Sequence, residues 1–336
     1  MKKHKVHSES FDTLDKVTAQ KAEFLFYPFI IFGMICVIEG DPNIGKSYLV
    51  TWLACVVSIG GLLPDEQRAP CGRVLYLSAE DDPAYTIRPR VDAMGGDPSR
   101  IHYMKTDLLF DKHGLSEIRE ECQSFGIDVI VVDPLISFMP HGTDLHNSTD
   151  IRVVLGHLKR LAQDTGAAIV IVRHLTKTRR EKAIYQGQGT VDVIAAARSA
   201  CLIARHPEDT ELKVMAHIKH NVSPQGPSYA FRLVSRREGK PPVLQWEGTV
   251  NVTPEELLAI HEPEAKAIDC AVEFLQDILS HRPMPASTIQ RDAEARGISH
   301  RTIDRAKREL GVRARKDGKI WIWSLPNGKH KERQRS

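Results

Sequence analysis

The sequence predicts an α/β fold: a mostly parallel sheet covered on both faces by helices and finishing in antiparallel strands, followed by a small helical module that ends in a hairpin. Three observations predict it. The stretch Gly40-Asp41-Pro42-Asn43-Ile44-Gly45-Lys46-Ser47 fits G-x-x-x-x-G-K-[ST] at every fixed position and lies between an apolar run and a segment of helical length. Downstream, short apolar runs closed by a polar residue alternate with amphipathic segments, the pattern of strands buried on both faces. Beyond an acidic stretch at 251–265 the charge changes sign. Residues 281–336 hold 15 Lys and Arg against 6 Asp and Glu, a net +9, while the rest of the 336-residue chain is −6.

In chain order, residues 1–23 are polar and of mixed charge, and a short helix or loose arm is expected. Residues 29–39 read as one buried strand and 48–57 as the helix packed beneath it. Between them, glycines let the backbone wrap an anion, so that successive N–H groups and the helix N-terminus point at phosphate. Residues 60–72, rich in Gly and Pro, form a surface connection. Residues 73–78 are a strand that runs into Ala79-Glu80-Asp81-Asp82. A helix at 83–94, a short strand at 101–104 and a helix at 115–125 follow. At 128–133 four apolar residues are closed by a carboxylate. Next come a helix at 147–162, capped by Ser148 or Thr149, and a buried strand at 167–172 that ends at Arg173-His174. Residues 178–188 are basic, polar and glycine-bearing, and a mobile surface loop is expected there. A helical segment at 191–197 leads through Arg198 to strands at 200–204, 212–219, 229–234 and 243–246. After the connection at 251–265, helices at 265–279, 286–297 and 299–310 precede a hairpin of 312–315 and 319–323 around Lys316-Asp317-Gly318. The expected organisation is an arm at 1–23, a sheet domain at 24–250, a linker at 251–265, a second module at 266–326 and a basic tail at 327–336.

Several classes are excluded at this stage. No run of 18 or more apolar residues exists, and the basic N-terminus is not followed by an apolar core and cleavage site. Neither a membrane span nor a signal peptide is expected. Cys36, Cys55, Cys71, Cys122, Cys201 and Cys270 show no C-x-x-C spacing, so reduced thiols in the cytoplasm are expected, not disulfides or zinc ligands.

The glycine loop directs the chemical reading toward ATP. Lys46 is expected to neutralise β- and γ-phosphate charge, and the Ser47 hydroxyl to take one Mg²⁺ position. Asp133, delivered by a buried strand to its C-terminal edge, is expected to hold Mg²⁺ through water. Glu80, read as ending the strand next to the phosphate loop, is placed to orient or deprotonate water, with Asp81 and Asp82 able to share the role. His174 could bond a γ-phosphate or its attacking water, or serve structure alone. Arg198 could reach a neighbouring subunit's nucleotide or form a surface salt bridge.

Taken together, GDPNIGKS, VLYLSAEDD followed by TIRPRVDAMG, IDVIVVDP, VRHLTK, GQGTVDVIAAARS and IKHN, over roughly residues 25–235, resemble the RecA-like ATPases of the hexameric RepA helicase type, the group called AAA_25. The resemblance implies a RecA-like fold. It implies a phosphate cradle from Gly40, Asn43, Ile44, Gly45, Lys46, Ser47 and Tyr48, with Ser47 and Asp133 on the metal. It further implies Glu80 as catalytic carboxylate, His174 as γ-phosphate sensor and Arg198 as a finger supplied in trans. Arg90 and Lys219 also match positions of the pattern. The basic C-terminal module departs from it.

Helix, helix and basic hairpin make a winged-helix pattern. Its third helix carries Arg301, Arg305, Lys307 and Arg308, with Ile303, Ala306 and Leu310 facing inward; Arg313, Arg315, Lys316 and Lys319 line the wing. The two readings are DNA recognition and protein docking. The resemblance and the basic module together imply an ATP-hydrolysing motor acting on DNA in replication, a ring-forming, hexameric RepA-type helicase of a plasmid, phage or other mobile element, with single-stranded DNA in its channel and duplex at its C-terminal domain. The alternative is an ATP-switched initiator, helicase loader or regulator without unwinding activity.

Overall fold

Gly33 divides the first apolar run. It adopts φ +68°, and its N–H donates to the Gly166 carbonyl at 2.8 Å, a conformation that a side chain would strain. The expected single strand at 29–39 is therefore two elements. Phe24–Phe26 (β1) and Ile30–Ile31 (β2) form a small antiparallel ribbon, and Ile35–Gly40 (β3) enters the main sheet. In this computed structural model the described residues are 13–143, 147–175, 192–236, 239–259, 261–280, 282–318 and 320–326, without the side chains of 258–269 and Arg301. The expected loop at 178–188, Lys319 and the basic tail lie outside them.

After β3 come α1 (Lys46–Ile59), β4 (Arg73–Ser78), a π-helical turn (Pro83–Ile87) running into α2 (Arg88–Met94), β5 (Ile101–Tyr103), α3 (Lys112–Phe125) and β6 (Ile127–Asp133). They are followed by α4 (Ser148–Thr165), β7 (Ala168–His174), α5 (Asp192–Ala196), β8 (Ser199–Arg205), β9 (Lys213–His220), β10 (Ser228–Val234) and β11 (Val243–Val250). The nine-stranded sheet has the order β11-β10-β9-β8-β3-β7-β6-β4-β5. Strands β3 to β8 run parallel, and β9 to β11 continue the sheet antiparallel. Alternation along each strand explains the near-continuous apolar sequence. Cys36 and Ile38 of β3 pack with Leu49, Val50 and Leu53 of α1 on one face, while Ile35 and Val37 pack with Leu155 and Leu158 of α4 on the other. This α/β sheet fits a RecA-like P-loop domain. Helix α4 is capped by Asn147, whose side chain accepts from the Thr149 N–H, and not by Ser148 or Thr149 themselves.

The chain divides into two compact units, Met1–Val252 and Thr253–Ser336. The second begins where a linker was expected, with α6 (Pro254–Ala259) and α7 (His261–Ser280). Thr253 and Glu256 start α6 as a capping box. The Thr253 hydroxyl accepts from the Glu256 N–H at 3.2 Å, and the Glu256 carboxylate accepts from the Thr253 N–H at 2.8 Å. Then follow β12 (Met284–Pro285), α8 (Ala286–Ala295), α9 (His300–Glu309), β13 (Arg313–Asp317) and β14 (Ile320–Ser324), the strands forming an antiparallel sheet of order β12-β14-β13. Phe274, Leu275, Ile289, Ile303, Ala306 and Trp323 make its core. Among the described residues no helix is long and apolar enough to cross a membrane, and all six cysteines are unpaired thiols.

Candidate functional site

The parallel strands end along one edge, in register. Gly40 of β3 lies opposite His174 of β7, and Asp133 of β6 opposite Ser78 of β4. Such an edge, outside the carboxyl ends of the strands, is where open α/β sheets bind ligands. One expectation needs correction. Strand β4, which leads to Glu80, is not next to the phosphate-loop strand; β7 and β6 lie between them. Glu80 is nonetheless near enough for its charge to act on Lys46, Asp133 and His174.

The loop itself is a left-handed turn, with Asn43 at φ 61° and Gly45 at φ 104° just before α1. Ile44 is buried in the core beneath it. Gly40 is required by contact: a Cβ there would sit 2.4 Å from the Ile203 carbonyl of β8. Gly40→Ala is expected to destabilise the fold by about 1–3 kcal/mol, because backbone must move to admit the methyl. Urea denaturation checks this, and an unchanged midpoint would contradict the close approach.

Lys46 is 3% exposed, and its ammonium donates to the carbonyls of Gly40 (2.8 Å) and Asp41 (2.6 Å). Burial lowers its pKa to about 8, against the pull of Asp133, Asp41 and Glu80. Asp133 is 4% exposed and is pushed up to about 6, chiefly by burial and further by Asp81 and Glu80, while a hydrogen bond from Ser47 and the charge of Lys46 oppose the shift. Its Oδ2 is buried without a hydrogen-bond partner among the described residues. A buried, unpaired carboxylate oxygen beside a hydroxyl fits a hard cation such as Mg²⁺. Among the described residues no group of three or more His, Cys, Asp and Glu could hold a metal. Mg²⁺ suits that donor set, since it is commonly held by one or two protein oxygens, water and substrate phosphates.

His174 is half-buried and its Nδ1 lacks a hydrogen-bond partner among the described residues. Burial, and then Lys46, hold its pKa below the ordinary value, with Glu80 opposing, so the ring is neutral at pH 7. The three acids after β4 separate by their contacts. Asp81 pairs with Arg90 at 2.6 Å, and Asp82 accepts from the N–H groups of Ala84 and Tyr85; Glu80 is exposed. The Arg90 guanidinium also covers the Tyr48 ring, 4.5 Å from its centroid.

Arg198 lies at the other edge of the sheet. Its N–H donates to the Ile35 carbonyl at 2.9 Å, at the start of β3 and five residues before Gly40, roughly 17 Å along the strand. Its exposed side chain is thus far from the chain's own phosphate loop. Nearby, the Lys219 ammonium donates to the carbonyls of Ile194 and Ala195 at the end of α5, at 2.7 and 2.9 Å.

Sequence reasoning missed the pair next to the loop. Glu39 and Arg173 face each other across β3 and β7 at 3.3 Å, 0% and 3% exposed. Its only signal was a charged residue at the same place in each apolar run, one before Gly40 and one before His174. In the second unit Arg305, Arg308, Arg313, Arg315 and Lys316 are exposed, whereas the side chain of Arg301 lies outside the described residues.

The AAA_25 family, described as an AAA domain, matches residues 3–180, just over half of the chain. The chain is also similar to proteins named DNA repair protein RadA. That of Streptococcus pneumoniae (strain ATCC BAA-255 / R6) is 29% identical over 150 residues, covering 44% of this chain and 31% of the relative. That of Brucella abortus (strain 2308) is 29% identical over 150 residues, covering 43% and 29%. That of Bacillus subtilis (strain 168) is 28% identical over 153 residues, covering 44% and 29%. The chain therefore spans less than a third of the length of the curated relatives it matches.

Proposed function

We propose that this chain, which belongs to the AAA_25 family of AAA domains, is an ATPase that binds ATP at the C-terminal edge of its sheet and uses hydrolysis to act on DNA. The assembly is a ring of the RepA helicase type, a hexamer with nucleotide between subunits. The observation that carries the reading is the convergence of Lys46, Ser47, Asp133, Glu80 and His174 at one sheet edge, with Arg198 at the other.

Each residue then has a task. Loop N–H groups and the Lys46 ammonium bind the β- and γ-phosphates, and Ser47 with Asp133 would hold Mg²⁺. When bound, Mg²⁺ neutralises charge on the phosphates. Glu80, the acid of its turn left without a structural pairing among the described residues, orients the attacking water and takes its proton. His174, uncharged, orients the γ-phosphate by hydrogen bond. Arg198 adds positive charge to a neighbour's site, where its distance from its own loop leaves it to act.

DNA as partner is supported by the similarity to proteins named DNA repair protein RadA and by the exposed cations of α9 and β13. The second unit, read as a winged helix, presents α9 and its hairpin to duplex. That basic unit also favours the second reading, an ATP-switched initiator, loader or regulator; sustained ATP-driven strand displacement on a forked substrate would exclude it.

A mixing experiment tests the assembly. Arg198→Ala and Lys46→Ala subunits, each inactive alone, should recover measurable ATPase when mixed, because junctions form that combine an intact loop with an intact finger. No recovery over a range of ratios would remove Arg198 from the neighbour's site.

A further inference from the structure

The hairpin of the second unit carries an aromatic ring past the point where its core has ended. Along β14 side chains alternate, so Trp321 and Trp323 share a sheet face. Trp323 is 3% exposed and belongs to the core; Trp321, two residues nearer the turn, is 52% exposed and does not. Their cross-strand partners on β13 are Ala314 for Trp323 and Lys316 for Trp321. On the helix side the Lys307 ammonium lies over the Trp323 ring, 4.3 Å from its centroid. The face thus runs Lys307, Trp323, Trp321, Lys316, and the exposed Arg313 and Arg315 stand on the hairpin's other face.

A half-exposed indole beside a cation suits a ligand that is flat and apolar on its face and anionic at its edge. Nucleobases with flanking phosphates have that form. Inside a duplex the bases already stack on one another, so an exposed ring finds a free π-face only where pairing has ended.

We propose that Trp321 is a stacking platform for an unpaired nucleobase next to the duplex held by α9 and β13, so that the second unit engages the junction between paired and unpaired DNA. This rests on the reading that the second unit binds DNA. Lys316, opposite Trp321, supplies the charge contact beside the stacked base, Arg313 and Arg315 on the other face contact the duplex backbone, and Trp321 supplies the preference for unpaired structure.

The full chain without nucleotide is titrated, by fluorescence anisotropy, onto a blunt duplex and onto the same duplex with a short unpaired tail. Trp321→Ala should weaken the tailed probe about tenfold and leave the blunt probe within about twofold. Its salt slope should be unchanged, and Trp321→Phe should restore most of the affinity. Arg315→Ala should weaken both probes and lower the salt slope by about one. Equal losses on both probes, or no loss, would overturn the stacking assignment while the DNA reading stands. A wild-type chain that binds neither probe would overturn both.

Discussion

Replacing Lys46 with alanine is expected to lower ATP turnover by about 10³-fold or more while the chain still folds. The ammonium is buried beneath the loop, bridges the Gly40 and Asp41 carbonyls, and stands within the field of Asp133 and Glu80. Alanine removes the cation proposed to face the phosphates and leaves Asp133 repelled by Glu80 and Asp81 without its counter-charge. Arginine should not rescue, since the site is closed and its carbonyls lie 2.6 and 2.8 Å from the nitrogen. Steady-state phosphate release, with circular dichroism as a check on folding, reads the effect. Turnover within about tenfold of the unaltered chain would take Lys46 out of the phosphate site.

Arg173→Met is expected to destabilise the first unit at pH 8 by about 1–3 kcal/mol, because the buried Glu39 carboxyl, pushed up to about 7 even beside Arg173, must then stay protonated without its partner. Adding Glu39→Gln should recover much of the loss, since a neutral amide has no proton to take up and needs no counter-charge. The same pair carries a pH signature. Burial pushes Glu39 from its ordinary 4.5 up to about 7, with Arg173 pulling it back. Between those values the folded chain binds the proton that the unfolded chain has lost, so the contribution of Glu39 is greatest below about 4.5 and is lost as pH rises through 7. Asp133 moves in the same sense, from 3.8 to about 6. Burial holds His217 down to about 4 and His174 below its ordinary value, which acts the opposite way up to about pH 6.5. Glu39 is therefore read as a difference: the urea midpoint of the unaltered chain should fall relative to that of Glu39→Gln between about pH 5 and pH 8, and over a higher window in Arg173→Met. A difference between the chains that stays level with pH would contradict the buried pair.

Residues 40–47 and the strand ending at Asp133 were legible because fixed residue types and a both-faces-buried apolar run are local signals. Strand order is not local. That β4 stands three strands away from β3, beyond β7 and β6, depends on which crossovers pass over which face, and so sequence alone misplaces Glu80. Gly33 gave its signal, a glycine inside an apolar run, but an uninterrupted strand explains the same letters equally well. Thr253-Pro254-Glu255-Glu256 carried the letters of a capping box and was passed over because the segment's acidity suggested a linker. Glu39 and Arg173 each looked like the polar end of a strand; only the parallel register of β3 and β7 makes them partners. Arg198 was legible as an arginine before a strand, but its place at the far edge of the sheet follows from β8 running parallel to β3.

The central claim is that this chain grips a nucleoside triphosphate through Lys46 with a divalent cation at Ser47 and Asp133. Calorimetric titration of the unaltered chain with ATP, with and without Mg²⁺, tests it most directly. The account predicts one site per chain, tightened by Mg²⁺, losing that tightening in Asp133→Asn and lost in Lys46→Ala. A folded chain that takes up no ATP under either condition, or one that binds it equally well without Lys46, would contradict it.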